Sequence, residues 1–289
     1  MRKLILISIL ITAGVLYTGA NSANAQSKFS FGVNIGQGIP MGDYAKHDST
    51  QLPLSHYTTR KNSTYPKGYN ANDTNQLNGF AKTGFSFNVY GQYMIVGPIG
   101  IKLMVGGTMN SYDIATYNSI YTKIWNESSP GASSYTYTWT AGKSYYIGQY
   151  MLGPCLKLPV SGKLRIEGQI LAGLVTGSYP TLTGDYSYSG HIPGLSESGT
   201  QTYTISSGSV FGYNINAGIE YMLIKIIGIH LNVGYTGSSF SYPTYNIVNT
   251  QTQTLGGYTI FSTLTQNYNV AKTMSMGLLQ ITTGASIDL

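Results

Sequence analysis

Apolar and polar residues alternate with a period of two through most of this chain. In Lys82–Leu103, KTGFSFNVYGQYMIVGPIGIKL, Phe85, Phe87, Val89, Tyr93 and Ile95 share one parity, while Ser86, Asn88 and Gln92 hold the other. A Val96-Gly97-Pro98 corner follows, and Ile99, Ile101 and Leu103 resume the apolar parity. Such alternation gives a strand two unlike faces. Two such runs joined by a Gly-Pro turn predict a hairpin.

The same pattern recurs until it predicts eight strands. The first is Lys28–Ile39, with Phe29, Phe31, Val33 and Ile35 opposed to Ser30, Gly32, Asn34 and Gly36. The hairpin supplies the second and third, the latter running Ile99–Ser111. The fourth is Ser144–Leu158, the fifth Lys163–Val175 and the sixth Val210–Lys225. The seventh carries Ile229, Leu231, Val233 and Tyr235, and the eighth is Thr273–Leu289. Connections near Gly97, Ser161 and Ile227 are short. They alternate with long ones at Pro40–Ala81, Tyr112–Lys143, Thr176–Ser209 and Ser241–Lys272. That order, with both termini on the short-turn side, is the plan of an antiparallel up-and-down barrel in an outer membrane. Each strand also has at least the roughly 9–11 residues that a tilted membrane strand needs.

A soluble eight-stranded barrel would reverse the faces, apolar inward and charged outward. Only 9% of the 289 residues are charged, with 36 Gly and 26 Tyr. The polar parity is Gly, Ser, Asn, Gln and Thr with few charges, as a lumen would be, so the apolar parity is assigned to lipid. Met1–Ala25 reads as a secretory signal peptide, with Arg2 and Lys3, an apolar Leu4–Leu16 and Ala23-Asn24-Ala25 before Gln26. Residues 26–289 then form one barrel domain. Cys155 is the only cysteine, which excludes an intrachain disulfide, and no His stands near it in sequence. The net charge of +6 is scattered, without the basic patch of a nucleic-acid partner.

The signal peptide, the opening KFSFGVNIGQGIPMGDY (Lys28–Tyr44) and the closing QITTGASIDL (Gln280–Leu289) resemble the small outer-membrane β-barrel families of Gram-negative bacteria, the OmpA/OmpX-type eight-stranded barrels. The close is similar to the C-terminal signal of those families in Gly284, Ile287 and Leu289, and departs from it in ending on Leu rather than an aromatic. The resemblance implies outer-membrane lipid and the barrel-assembly machinery as partners, and no cofactor.

Chemistry is sparse. Lys28, Lys102, Lys157, Arg165, Glu167, Glu220, His230 and Asp288 fall on the inward parity. Eight strands leave an interior that side chains nearly fill, and charges there must pair or be hydrated. Glu167 and Glu220 are expected to take Arg165, Lys102 or His230 as partners, as a structural plug or as a gated small-ion path. His47-Asp48 with His56 could hold a metal only weakly, so no metal site is assigned. No His sits with a Ser in a pattern that would mark a lipid-modifying enzyme, and no catalytic residue is assigned. Tyr121, Trp125, Tyr135, Tyr137 and Trp139 are expected either on an external interaction surface, because Tyr and Trp give large contact area at low entropy cost, or in an interfacial aromatic girdle that covers the rim. The alternation of Tyr135, Tyr137 and Trp139 points to strands continuing beyond the membrane. The expected role is non-enzymatic, structural or adhesive, with extracellular ligands met by the loops. A narrow ion channel and an outer-leaflet lipid-modifying enzyme are the alternatives.

Overall fold

The structure, a computed structural model, describes residues 28–47, 78–128, 134–189, 195–242, 245–268 and 272–289. The segment read as a signal peptide lies outside them. Among the described residues there are thirteen strands: β1 (Phe29–Met41), β2 (Gly84–Val96), β3 (Ile99–Asn110), β4 (Ser134–Ala141), β5 (Tyr145–Pro159), β6 (Leu164–Ser178), β7 (Leu182–Ser189), β8 (Leu195–Ile205), β9 (Gly208–Ile224), β10 (Ile227–Tyr242), β11 (Tyr245–Leu255), β12 (Tyr258–Tyr268) and β13 (Lys272–Asp288). One helix, α1 (Ile114–Ser128), separates β3 from β4.

Eight strands close a barrel in the order β1-β13-β10-β9-β6-β5-β3-β2. All its pairs are antiparallel, and the seam β1–β13 runs from Ser30↔Asp288 to Met41↔Gly277. Closure gives every strand two neighbours, as a backbone surrounded by hydrocarbon requires. The walls obey the parity read from the sequence. Phe29, Phe31, Val33, Ile35, Phe85, Val89, Ile101, Leu103, Ile215 and Leu231 are exposed on the outside, while Ser30, Asn34, Ser86, Asn88, Gln92 and Asn232 are buried inside. An apolar exterior around a polar lumen is the arrangement of a transmembrane barrel. Lys28 departs from its expected place: it precedes β1 and is exposed, because the inward parity begins only at Ser30.

The other five strands form a second sheet in the order β12-β11-β8-β7-β4. Read from β4, this order repeats that of the strands to which each is joined: β5, β6, β9, β10 and β13. Five of the eight barrel strands therefore continue past the long-loop rim as one half-wall, which is how the expected extension beyond the membrane is built. A two-residue turn, Gly256-Gly257, joins β11 to β12 with both residues at positive φ (57° and 89°), a conformation that glycine adopts without steric cost.

α1 lies in the connection Tyr112–Lys143, where the sequence reading expected a loop and no helix. Ile114, Tyr117, Asn118 and Tyr121 stand at i, i+3, i+4 and i+7, one face of a helix. Asp113 caps it, its carboxylate accepting from Thr116 N (3.4 Å) and Thr116 Oγ1 (2.8 Å). Tyr117 and Tyr121 are buried by that face.

Close packing of strands in the lumen makes Gly284 a test of the seam. A Cβ there would run into the carbonyl oxygen of Val33 and the side chains of His230 and Asn34. Gly284→Ala is expected to destabilise the barrel by about 1–3 kcal/mol, read as a lower urea midpoint for the protein folded in lipid vesicles.

Candidate functional site

The lumen is layered along its axis. Nearest the short turns lies a cluster of charges. Lys157 is near the end of β5, Arg165 at the start of β6, Glu220 late in β9, and Asp288 ends β13. Lys157 Nζ lies 2.8 Å from Glu220 Oε2, 3.1 Å from Asp288 Oδ1 and 3.7 Å from Glu167 Oε1. Arg165 Nη1 lies 3.2 Å from Glu220 Oε2 and also pairs with Asp288 Oδ2. Ser30 Oγ donates to Asp288 Oδ1 at 2.7 Å across the seam. Three cations (Lys102, Lys157, Arg165) and three anions (Glu167, Glu220, Asp288) balance, which lets the cluster persist with little water.

The pairing differs in part from the expected one. Arg165 does take Glu220. Lys102 instead sits over the ring of Tyr90, 3.8 Å from its centroid. His230 Nε2 contacts Asn34 Oδ1 at 2.5 Å, not a carboxylate. Glu167 makes no hydrogen bond among the described residues, and Lys157 is its ion partner. Lys157 and Asp288 are thus the junction of the cluster. Both were placed inward from sequence, but parity says only which wall faces in and not which side chains reach across.

Above the charges is a belt of neutral hydrogen bonds. Gln169 Nε2 donates to Asn214 Oδ1 (3.0 Å), Asn214 Nδ2 to Thr236 Oγ1 (2.9 Å), and Gln280 Nε2 to Ser86 Oγ (2.6 Å), which also accepts from Thr108 Oγ1 (3.1 Å). Thr236 Oγ1 lies within 3.1 Å of Gln280 Oε1 and 3.2 Å of Gln149 Oε1. The belt touches β2, β3, β5, β6, β9, β10 and β13. Buried Tyr44, Phe80, Tyr112, Tyr117, Tyr121, Trp139, Tyr145, Tyr179, Tyr203 and Tyr242 then fill the long-loop end. Their rings pack edge to face, as in Tyr44–Tyr145 at 4.9 Å, and stacked, as in Tyr117–Tyr121 at 6.1 Å. Phe80 sits at φ 50°, an uncommon conformation for a bulky residue, held by its amide on the Lys46 carbonyl and by its buried ring.

These placements revise the expected external surface. Tyr121 and Trp139 belong to the aromatic layer and are buried, and Tyr137 is half-buried beside them. Asn118 of α1 explains the burial of Trp139, donating to its carbonyl (2.9 Å) and accepting from its amide (2.7 Å). The helix thereby covers the outer edge of β4. The side chains of Trp125 and Tyr135 lie outside the described residues. What is exposed instead is the β11–β12 hairpin: Leu255, Tyr258, Ile260, Phe261 and Leu264. The lone strong cue to it in the sequence is Leu255-Gly256-Gly257-Tyr258, a turn flanked by apolar residues.

No group of metal-ligating side chains occurs among the described residues. Asp48 and His56 fall outside them, as does His191. His47 lies 3.6 Å from Asp113 and packs on Phe80. Burial raises the Asp113 carboxyl, but bonds from Thr116 and the Lys82 ammonium (3.1 Å) outweigh it and hold the group below the usual carboxylate range.

Two outcomes follow. Glu220→Ala leaves Lys157 and Arg165 to share Asp288 with one anion too few and is expected to cost about 3–5 kcal/mol by urea unfolding in vesicles, whereas Lys102→Met, which removes one contact with a ring, costs less. The depressed Asp113 value stabilises α1 above the unfolded pKa and ceases to as pH falls through the folded one. Acidification below about pH 4 should therefore red-shift tryptophan emission as Trp139 loosens, and Asp113→Asn should show the shifted emission at neutral pH.

No family model and no curated protein matches the chain. Among solved structures it is similar to the outer membrane protein OprG from Pseudomonas aeruginosa, at 12% identity and TM-score 0.39 over 92% of this chain and 99% of that one. It is similar to Ail, the attachment invasion locus protein of Yersinia pestis, at 10% identity and TM-score 0.33 over 90% and 99%. The outer membrane protease OmpT from Escherichia coli matches at 8% identity and TM-score 0.32 over 93% and 98%. Likeness this distant assigns no function. The chain's own strand pairing and two-faced wall make it a closed eight-stranded antiparallel barrel with an apolar exterior and a polar lumen.

Proposed function

We propose that this is a non-enzymatic surface-interaction protein of the bacterial outer membrane, exported by its N-terminal signal peptide and displaying its half-wall outside the cell. The observation that carries the reading is the β11–β12 hairpin. It holds no Asp, Glu, Lys or Arg from Tyr245 to Tyr268, and it exposes Leu255, Tyr258, Ile260, Phe261 and Leu264. Exposed apolar side chains grouped at one end of an otherwise closed molecule mark a contact site. Tyr with Thr, Ser, Gln and Asn around them is the chemistry of adaptable recognition. Insertion of the barrel would rely on the assembly machinery, and its apolar wall on outer-membrane lipid.

The layered lumen argues against the ion-path alternative, since conduction would have to part both the Lys157–Glu220 pair and the aromatic layer. Among the described residues neither His47, beside Asp113 and Phe80, nor His230, beside Asn34 and Tyr90, faces a nucleophile, so these two give the lipid-modifying alternative no support.

In planar bilayers the protein is expected to give no sustained openings, and steady conductance abolished by Arg165→Ala would overturn the plug. Replacing Tyr245–Tyr268 with a short turn should leave a folded barrel, judged by heat-shifted electrophoretic mobility, while vesicles bearing it lose their retention on mucin- or collagen-coated glass. Undiminished retention would refute a role for the hairpin.

A further inference from the structure

The half-wall has two outer edges, and the fold treats them differently. The edge of β4 is covered by α1, whose Asn118 takes both the amide and the carbonyl of Trp139. The edge of β12 pairs with β11 on one side, and among the described residues no strand lies on the other. Tyr258 to Thr265 are exposed on both faces of the strand. An open edge is a template for another strand, and proteins that avoid such pairing place Lys, Pro or a bulge there. β12 has neither residue, and its register with β11 is unbroken from Tyr258 to Tyr268.

We propose that β12 docks antiparallel on β12 of a second copy of this chain carried by a facing membrane. The proposal rests on the surface reading above for which end of the barrel is displayed. The strand is self-complementary about Phe261. Antiparallel pairing on that residue sets Phe261 against Phe261, Thr259 against Thr263 and Tyr258 against Leu264, with Ile260 opposite Ser262. Aromatic–aromatic and Thr–Thr pairs are favourable directly across an antiparallel ladder, and no charge on either strand opposes the approach.

The geometry also selects the arrangement of the two copies. Barrels in one membrane are related by an axis along its normal, which leaves their equivalent strands parallel. An antiparallel self-pair needs a two-fold axis across the strand, and copies in opposed membranes have one. Burying the hairpin in a lipid bilayer is disfavoured, because the open edge would leave backbone groups without partners in hydrocarbon. One strand pair covers less than the roughly 800 Å² per partner of a stable complex, so each contact is weak. Many copies on two apposed surfaces would hold by multivalency.

The full chain, reconstituted into two vesicle populations with different fluorophores, should cluster them, while empty vesicles stay apart. Phe261→Lys on both populations should reduce clustering to that of empty vesicles, because two ammonium groups then face each other on the axis. Phe261→Glu on both should do the same. Mixing Phe261→Lys vesicles with Phe261→Glu vesicles should restore clustering, since the axis now joins opposite charges. Absence of clustering by the unaltered protein, clustering insensitive to Phe261→Lys, or failure of the mixed pair when both variants show heat-shifted mobility would each overturn the proposal. Retention on coated glass reads the broader surface role separately: vesicles that hold to glass without clustering refute the self-pairing alone, and vesicles that cluster without holding to glass refute the broader role alone.

Discussion

Within a bilayer each backbone amide and carbonyl must find its partner inside the protein. For a chain of strands that demand is met only by closure, and closure here joins the first barrel strand to the last along Ser30↔Asp288 to Met41↔Gly277. Once the wall is closed, alternation divides its side chains between lipid and a narrow lumen. The lumen must then satisfy every polar group it receives. The neutralised charges and the Gln and Asn belt answer that demand, and the aromatic layer beyond them fills the long-loop end with packed rings.

The barrel was legible in the sequence because period two is strictly kept where one face meets lipid. Phe85, Phe87 and Val89 against Ser86 and Asn88 leave a single assignment of faces, and eight such runs leave a single architecture. Alternating short and long connections supplied strand order, since antiparallel neighbours need only a tight turn. Even the continuation of strands past the rim showed, in Tyr135, Tyr137 and Trp139.

Above the rim the same signs mislead. Tyr and Trp in a polar segment look like display, but Tyr121 and Trp139 are core. Burial there depends on α1 lying against β4, and the period of Ile114, Tyr117 and Tyr121 is carried by few residues in a stretch otherwise rich in Thr, Ser and Asn. Inside the lumen, parity told which residues faced in but not that Lys157 and Asp288 would be the junction. Such pairing depends on reach across the barrel, between residues 131 positions apart in the chain.

That long separation ties electrostatics to the order in which the chain is made. Lys157, Arg165, Glu167 and Glu220 come from adjacent strands β5, β6 and β9, so they can meet as soon as that part of the wall forms. Asp288, next to the last residue, bonds both cations and takes Ser30 of the first strand. With Lys102 of β3 counted, the wall without β13 holds three cations against two anions, and the pairing of β13 with β1 brings the balancing carboxylate. The junction works as a latch across the wall, its tongue on the strand that closes the seam and its catch on β5 and β6.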